Sequence, residues 1–256
     1  MSQKVLKIGT SFCANGLQAG SLVTILGEAG SGKTSAVLQT IAECQQQGGV
    51  AAYIDTQGIF DPQFARRLGV NTGDLLVSQP SNAEKVFEIV RELVKTAEVN
   101  VIVVDSVCAM WTQAQIESPN HVIFQSLAGL LSKAIPMINS EMRHGNTIVI
   151  FTASLRQLPD GGWDGPTGLS LSSPIILEMQ RGENIKEGEE TVGFHGSFVV
   201  SKNIPGAELT VSNVLVLLPR PASRSLGPSG IYCKTQPIHN SKIYYRRGEF
   251  QINFSK

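Results

Sequence analysis

Apolar residues fall along this chain in two rhythms. In the first, short unbroken apolar runs end on polar residues: SLVTIL (Ser21–Leu26), VAAYID (Val50–Asp55), VNVIVVDS (Val99–Ser106) and NTIVIFTAS (Asn146–Ser154). A strand with one wet face would alternate, so unbroken runs predict strands buried on both faces, as in a parallel sheet. The second rhythm is helical. Lys33–Gln47 sets Val37, Ile41 and Cys44 on one side, and Asn82–Glu98 sets Val86, Ile89, Val90 and Leu93 on one side behind Asn82 as a cap. DPQFARRLGV predicts a shorter helix ending near Gly69. Strands alternating with helices imply right-handed crossovers and the α/β class, with a mostly parallel, twisted sheet flanked by helices.

After Ser154 the pattern changes. LPDGGWDGPTG (Leu158–Gly168) is rich in Gly, Pro and Asp and reads as a long loop rather than a strand. Beyond it, IILEMQR, GSFVVSKN and SNVLVLLP predict shorter strands in a hairpin-rich, antiparallel C-terminal side. The expected organisation is a core over residues 1–219 and an extension over 220–256, packed as short strands on that core.

Composition narrows the class. Apolar residues make up 42% of the 256, enough for a large core. The 21 basic and 21 acidic side chains cancel, so an anionic partner has to be held by a local patch. One such patch is the stretch from Arg220 to Lys256, with seven Lys or Arg against the single acid Glu249. It reads either as a solvated basic edge or as a nucleic-acid contact surface. Cys13, Cys44, Cys108 and Cys233 are too dispersed for a zinc site or redox pair, and His121 and His144 lack metal-ligand spacing. MSQKVLKIGT has no signal-like apolar stretch and no 18-residue apolar run follows, which leads us to expect a soluble cytoplasmic protein with no membrane partner.

The chemistry is concentrated in GEAGSGKT, residues Gly27, Glu28, Ala29, Gly30, Ser31, Gly32, Lys33 and Thr34, with Ser35 beginning the helix behind it. The motif G-x-x-x-x-G-K-[ST] lies directly after a predicted strand and directly before a predicted helix, the context in which it binds nucleotide phosphates. Its glycines let backbone N–H groups turn inward, the helix N-terminus adds partial positive charge, and Lys33 adds a full one. Thr34 offers a hydroxyl to Mg²⁺, and Asp105, at the end of an apolar strand, is the acid expected to orient the metal. ATP and Mg are therefore the expected ligands.

A run of further segments resembles one family. YIDTQGIFDPQFARRLGV, GDLLVSQP, VNVIVVDSV, GNTIVIF and IKEGEETVG are similar to segments of the bacterial RecA recombinases, in the same order, over roughly Gly9 to Asn203. The resemblance implies a RecA-type ATPase core, with Asp61 contacting the adenine amino group and Phe64 lying against the ring. It also implies a role in DNA recombination and repair, with single-stranded DNA, RecA itself or another repair protein as partners.

The departures from the family are specific. Where its members carry a glutamate that activates the attacking water, this chain has Gln57, and an amide cannot usefully accept a proton. The Asn-Gln pair with which the family senses the γ-phosphate reads Ala153 and Ser154. The first DNA-binding loop, QIESPNHVIFQS, has no Lys or Arg, and two positions that are basic in the family are Gly129 and Pro136. The second loop keeps Arg156 and contains Trp163, which either stacks on a base or covers the domain's own surface. The family's N-terminal docking arm and C-terminal domain are expected to have no counterpart here, so the expectation is a divergent, truncated paralogue. DNA contacts are expected from Arg156, Trp163, Arg246 and Arg247. The leading expectation is an ATP-binding recombination or repair protein with weak hydrolysis. Its rivals are an active DNA-dependent ATPase of compact phage type and a non-catalytic scaffold for another repair protein.

Overall fold

A computed structural model describes residues 16–117, 125–143, 145–157, 163–164, 167–187, 189–202, 213–217, 230–234, 241–246 and 249–254. Each unbroken apolar run forms a strand: β1 (Leu22–Gly27), β2 (Ala51–Asp55), β4 (Val101–Asp105) and β5 (Ile148–Ser154), with the short β3 (Leu76–Ser78) at one edge. The helices between them are α1 (Lys33–Gln46), α2 (Pro62–Arg67), α3 (Ala83–Thr96), α4 (Gln113–Glu117) and α5 (Gln125–Met142). Then follow β6 (Arg156–Gln157), β7 (Trp163–Asp164), α6 (Thr167–Ser172), β8 (Ile175–Glu187), β9 (Glu190–Lys202), β10 (Asn213–Leu217) and β11 (Gly230–Lys234). The last elements are β12 (Ser241–Arg246) and β13 (Glu249–Phe254).

The main sheet runs β11-β10-β9-β8-β1-β5-β4-β2-β3. From β3 to β8 every pairing is parallel, and from β8 to β11 every pairing is antiparallel. The unbroken runs are explained by two cores, one on each face. Val101 and Val103 of β4 pack with Val37, Leu38 and Ile41 of α1, while Ile102 and Val104 pack with Val86 and Val90 of α3 and Ile135 of α5. All four residues of the β4 run are fully buried. Neither face is wet, so neither side of the alternation could be polar.

Helix ends follow local chemistry. Asn82 caps α3, its side chain accepting the Lys85 N–H at 2.9 Å. Arg91 of α3 binds both carboxylate oxygens of Glu141 on α5, which ties the two helices on that face together.

Two expectations need correction. The segment Leu158–Gly168 is not wholly loop: Trp163–Asp164 forms a two-residue strand antiparallel to Arg156–Gln157, and α6 starts at Thr167. Pairing with a nearby strand has overridden the turn composition here. Gly168 also has a packing role, since a Cβ there would stand 2.8 Å from the Ala128 carbonyl of α5. Nor are the C-terminal strands all short. β8 and β9 are 13 residues each; the part of β8 from Arg181 onward is polar and largely exposed, so no apolar pattern marks it, whereas the facing part of β9 buries Val192 and Phe194.

Cys44 is buried, which pushes its thiol up to about 11, and Cys108 is exposed. Among the described residues no helix is long and apolar enough to cross a membrane, and no cluster of three or more His, Cys, Asp or Glu could hold a metal. Cys13, His121, His144 and Arg247 lie outside the described residues.

Candidate nucleotide site

The carboxyl ends of β1, β2, β4 and β5 open onto one cleft of about 340 Å³. Open α/β sheets bind ligands at this end, because the loops leaving the strands diverge there. Ala29, Gly30, Gly32, Lys33, Thr34 and Ser35 form one wall. Gln57 and Ile59 after β2, Asp105 and Ser106 at the end of β4, and Ser154 at the end of β5 complete it, with Phe194 of β9 at the side. Sequence positions 29 to 154 that were read separately thus meet at one place.

The loop is built by its glycines. Gly30 and Gly32 have φ values of 74° and 101°, in the left-handed region that side chains disfavour. Gly27 is needed for a different reason: a Cβ there would stand 2.5 Å from the Met179 carbonyl of β8 and 2.7 Å from Ser31 Oγ. Lys33 is buried, and its Nζ donates to the carbonyls of Gly27 at 2.9 Å and Glu28 at 2.7 Å. Burial holds its ammonium below the usual lysine range, against the opposing pull of Asp105, Cys108 and Glu28. Ser31 Oγ is buried with no hydrogen-bond partner among the described residues.

At the end of β4, Asp105 is buried and accepts from three hydroxyls. Thr34 Oγ1 donates to its Oδ2 at 2.7 Å, Tyr53 OH to the same oxygen at 2.8 Å, and Thr152 Oγ1 to Oδ1 at 2.5 Å. Burial, reinforced by the Asp105 charge, raises the Tyr53 phenol far above its ordinary value, so it remains a donor. The donor set fits a polyphosphate with a hard cation. A buried lysine and the N–H groups of a Gly-rich turn suit phosphate oxygens, and a hydroxyl next to a carboxylate suits Mg²⁺.

The neighbouring strand end carries a second buried acid. Asp55 stands in register with Asp105, and its side chain accepts the N–H groups of Gln57 at 3.1 Å, Gly58 at 2.9 Å and Phe60 at 2.9 Å. Gln79 Nε2 adds a fourth bond at 2.9 Å. Burial alone would raise the Asp55 pKa, but these donors outweigh it and hold the carboxyl below the usual range. Asp55 therefore shapes the turn that presents Gln57. Its signal in the sequence is an acid closing an apolar run, as at Asp105.

Other expected site residues lie elsewhere. Asp61 is exposed and caps α2, accepting Gln63 N–H at 2.8 Å and Phe64 N–H at 3.2 Å. Phe64 is partly buried against the core beside α1, and neither residue lines the cleft. Arg156 and Trp163 fall on β6 and β7, and Arg246 ends β12 in a separate two-stranded sheet. Phe194 and Ile59 line the cleft without having been singled out in the sequence.

The RecA N-terminal domain family matches residues 1–218. Protein RecA of Thioalkalivibrio sulfidiphilus is 41% identical over 197 residues, covering 73% of this chain and 57% of that protein. Protein RecA of Legionella pneumophila is 38% identical over 211 residues, covering 78% and 60%. This chain belongs to the RecA family. It spans between 57% and 60% of the length of these two curated relatives. Gln57 and Ser154 are the cleft residues at which the resemblance to this family leads one to expect other side chains.

Proposed function

We propose that this RecA-family chain binds Mg·ATP and acts in DNA recombination or repair, holding the nucleotide far better than it hydrolyses it. The observation that carries the proposal is that Gln57 lines the same cleft as Lys33, Thr34 and Asp105. The residue closest in sequence to the expected base is therefore at the site, and it is an amide.

In this reading Lys33 and the loop N–H groups hold the phosphates, and Thr34 with Asp105 holds the cation. When bound, Mg²⁺ neutralises negative charge on the phosphate oxygens. Gln57 can orient a water through its amide but cannot remove its proton, and general-base catalysis is worth about 10²- to 10⁴-fold. Ser154 has one short hydroxyl where the family places a longer sensing amide. Its backbone N–H and carbonyl are engaged by Cys108 Sγ at 3.3 and 3.5 Å. Coupling between nucleotide and DNA is correspondingly weak. Single-stranded DNA and another recombination protein, RecA included, remain the proposed partners. Arg156, Trp163 and the basic extension supply the DNA contacts, and Asp61 with Phe64 the adenine contacts.

Steady-state ATP hydrolysis with single-stranded DNA titrated in tests the proposal. Slow turnover that DNA barely changes is expected. Turnover on the order of 1 s⁻¹ or faster, stimulated by DNA, would establish the active DNA-dependent ATPase instead. Tight Mg·ATP binding with no DNA affinity would favour the scaffold.

A further inference from the structure

Between β8 and β9 the register pairs Arg181 with Gly196 and then Asn184 with Phe194, so β8 carries one residue more than β9 in this interval. Such a bulge re-aims the side chains beside it. Gly182 lies within the bulge, where a Cβ would stand 3.1 Å from the His195 carbonyl, so the extra residue is accommodated close against the partner strand. The side chain at the edge of the bulge is Arg181. Its Nη1 donates to the Gly30 carbonyl at 3.1 Å and its Nη2 to Asn184 Oδ1 at 3.0 Å, while its Cζ lies 4.2 Å from the Phe194 ring centroid.

These contacts meet at the phosphate loop. Gly30 and Phe194 both line the cleft, so one guanidinium holds the outer side of the loop and rests on an aromatic wall of the same site. A carbonyl that swung inward from Gly30 would present negative partial charge to phosphate oxygens. Held on a cation, it stays off them. Gly30, at φ 74° and without a side chain, has the freedom to swing unless something restrains it.

We propose that Arg181 is a positioning residue of the phosphate site, seated on Phe194 and clamping the Gly30 carbonyl so that the loop is preset for a nucleoside di- or triphosphate. This rests on the Mg·ATP reading above. The planar fork matters more than the charge. A lysine has no second, coplanar donor for Asn184 and cannot lie flat on the ring while reaching Gly30.

The test is Mg·ADP and Mg·ATP titration of wild type, Arg181→Ala, Arg181→Lys, Phe194→Leu and the Arg181→Ala/Phe194→Leu double variant, with thermal unfolding of each protein in the absence of nucleotide. Arg181→Ala and Arg181→Lys are both expected to weaken binding about tenfold, the scale of one charge-assisted hydrogen bond, without lowering the nucleotide-free unfolding temperature. The double variant should lose little more than the worse single variant, because the two residues act as one clamp. Wild-type affinity in Arg181→Ala, full rescue by lysine, independent addition of the two losses, or a drop in nucleotide-free stability that accounts for the effect would each overturn the proposal. The nucleotide reading would survive those results. That reading fails separately if wild type and Lys33→Ala bind Mg·ADP equally, and the positioning role falls with it.

Discussion

The Asp55 carboxylate accepts the backbone N–H of Gln57 at 3.1 Å, so the turn carrying the amide is fixed by a buried acid. Because two further N–H groups and Gln79 point at the same carboxylate, its negative charge is stabilised in the folded protein. The depressed pKa sets the sign of the pH dependence. Stability from Asp55 is fully present above the unfolded aspartate value of about 3.9 and is lost as pH falls through the lower folded value. Asp55→Asn is expected to cost about 1–3 kcal/mol at pH 7 and to lose less stability than wild type on acidification below about pH 4. Urea unfolding of both proteins across pH 3 to 7 measures this. Parallel curves would remove Asp55 from the account.

Gly27 makes a prediction that separates packing from chemistry. The space for a Cβ is taken by the Met179 carbonyl and Ser31 Oγ, and the first of these is backbone on a paired strand. Gly27→Ala must therefore push β1 away from β8 or shift the loop. A loss of about 1–3 kcal/mol is expected, the usual range for overpacking, together with weaker Mg·ADP binding. Denaturant unfolding and a nucleotide titration on the same preparation check both parts.

Much of this was legible in the residues, for physical reasons. The β4 run could be read because a strand buried on both faces has to be apolar throughout, and GEAGSGKT could be read because its glycines and lysine are local requirements of the loop. Asp55 was missed although its position, an acid closing an apolar run, was the one used to choose Asp105. The Arg181 contact has no local signature. It depends on a bulge that pairing creates between segments, and on a loop 151 residues away in the chain. Trp163–Asp164 was hidden in the same way, since a two-residue strand is made by its partner and not by its own composition.

Any DNA affinity is expected to be electrostatic and salt-sensitive, carried mainly by the Arg220–Lys256 extension with help from Arg156. Neutralising Arg246 and Arg247 together should remove two phosphate contacts. On single strands each contact contributes about 0.7 to the slope of log affinity against log salt, so the slope should fall by about 1.4. Fluorescence anisotropy with a labelled oligonucleotide from 50 to 300 mM salt would measure it. An unchanged slope moves the contact to the segments around Arg156 and Trp163.

The Gln57 amide leads to the sharpest prediction. It lines the cleft beside Lys33, Thr34 and Asp105, on a turn held by Asp55, so a side chain of the same length placed there should reach the same region. Gln57→Glu restores a carboxylate without changing the shape of the residue and is expected to raise ATP turnover. A recovery of about 10- to 100-fold is expected, the lower part of the general-base range, because Ser154 still offers only a short hydroxyl at the end of β5. Gln57→Ala distinguishes the two functions open to the amide. If it orients water, as glutamine does in some nucleotide hydrolases, removing it lowers the residual rate further. If it is inert, the rate stays where it was. Both variants should bind Mg·ADP as wild type does, since the phosphate contacts come from Lys33 and the loop. A Gln57→Glu protein that binds nucleotide normally and turns over no faster would mean that the base is not what hydrolysis lacks. The Ser154 side of the cleft would then be the limiting defect.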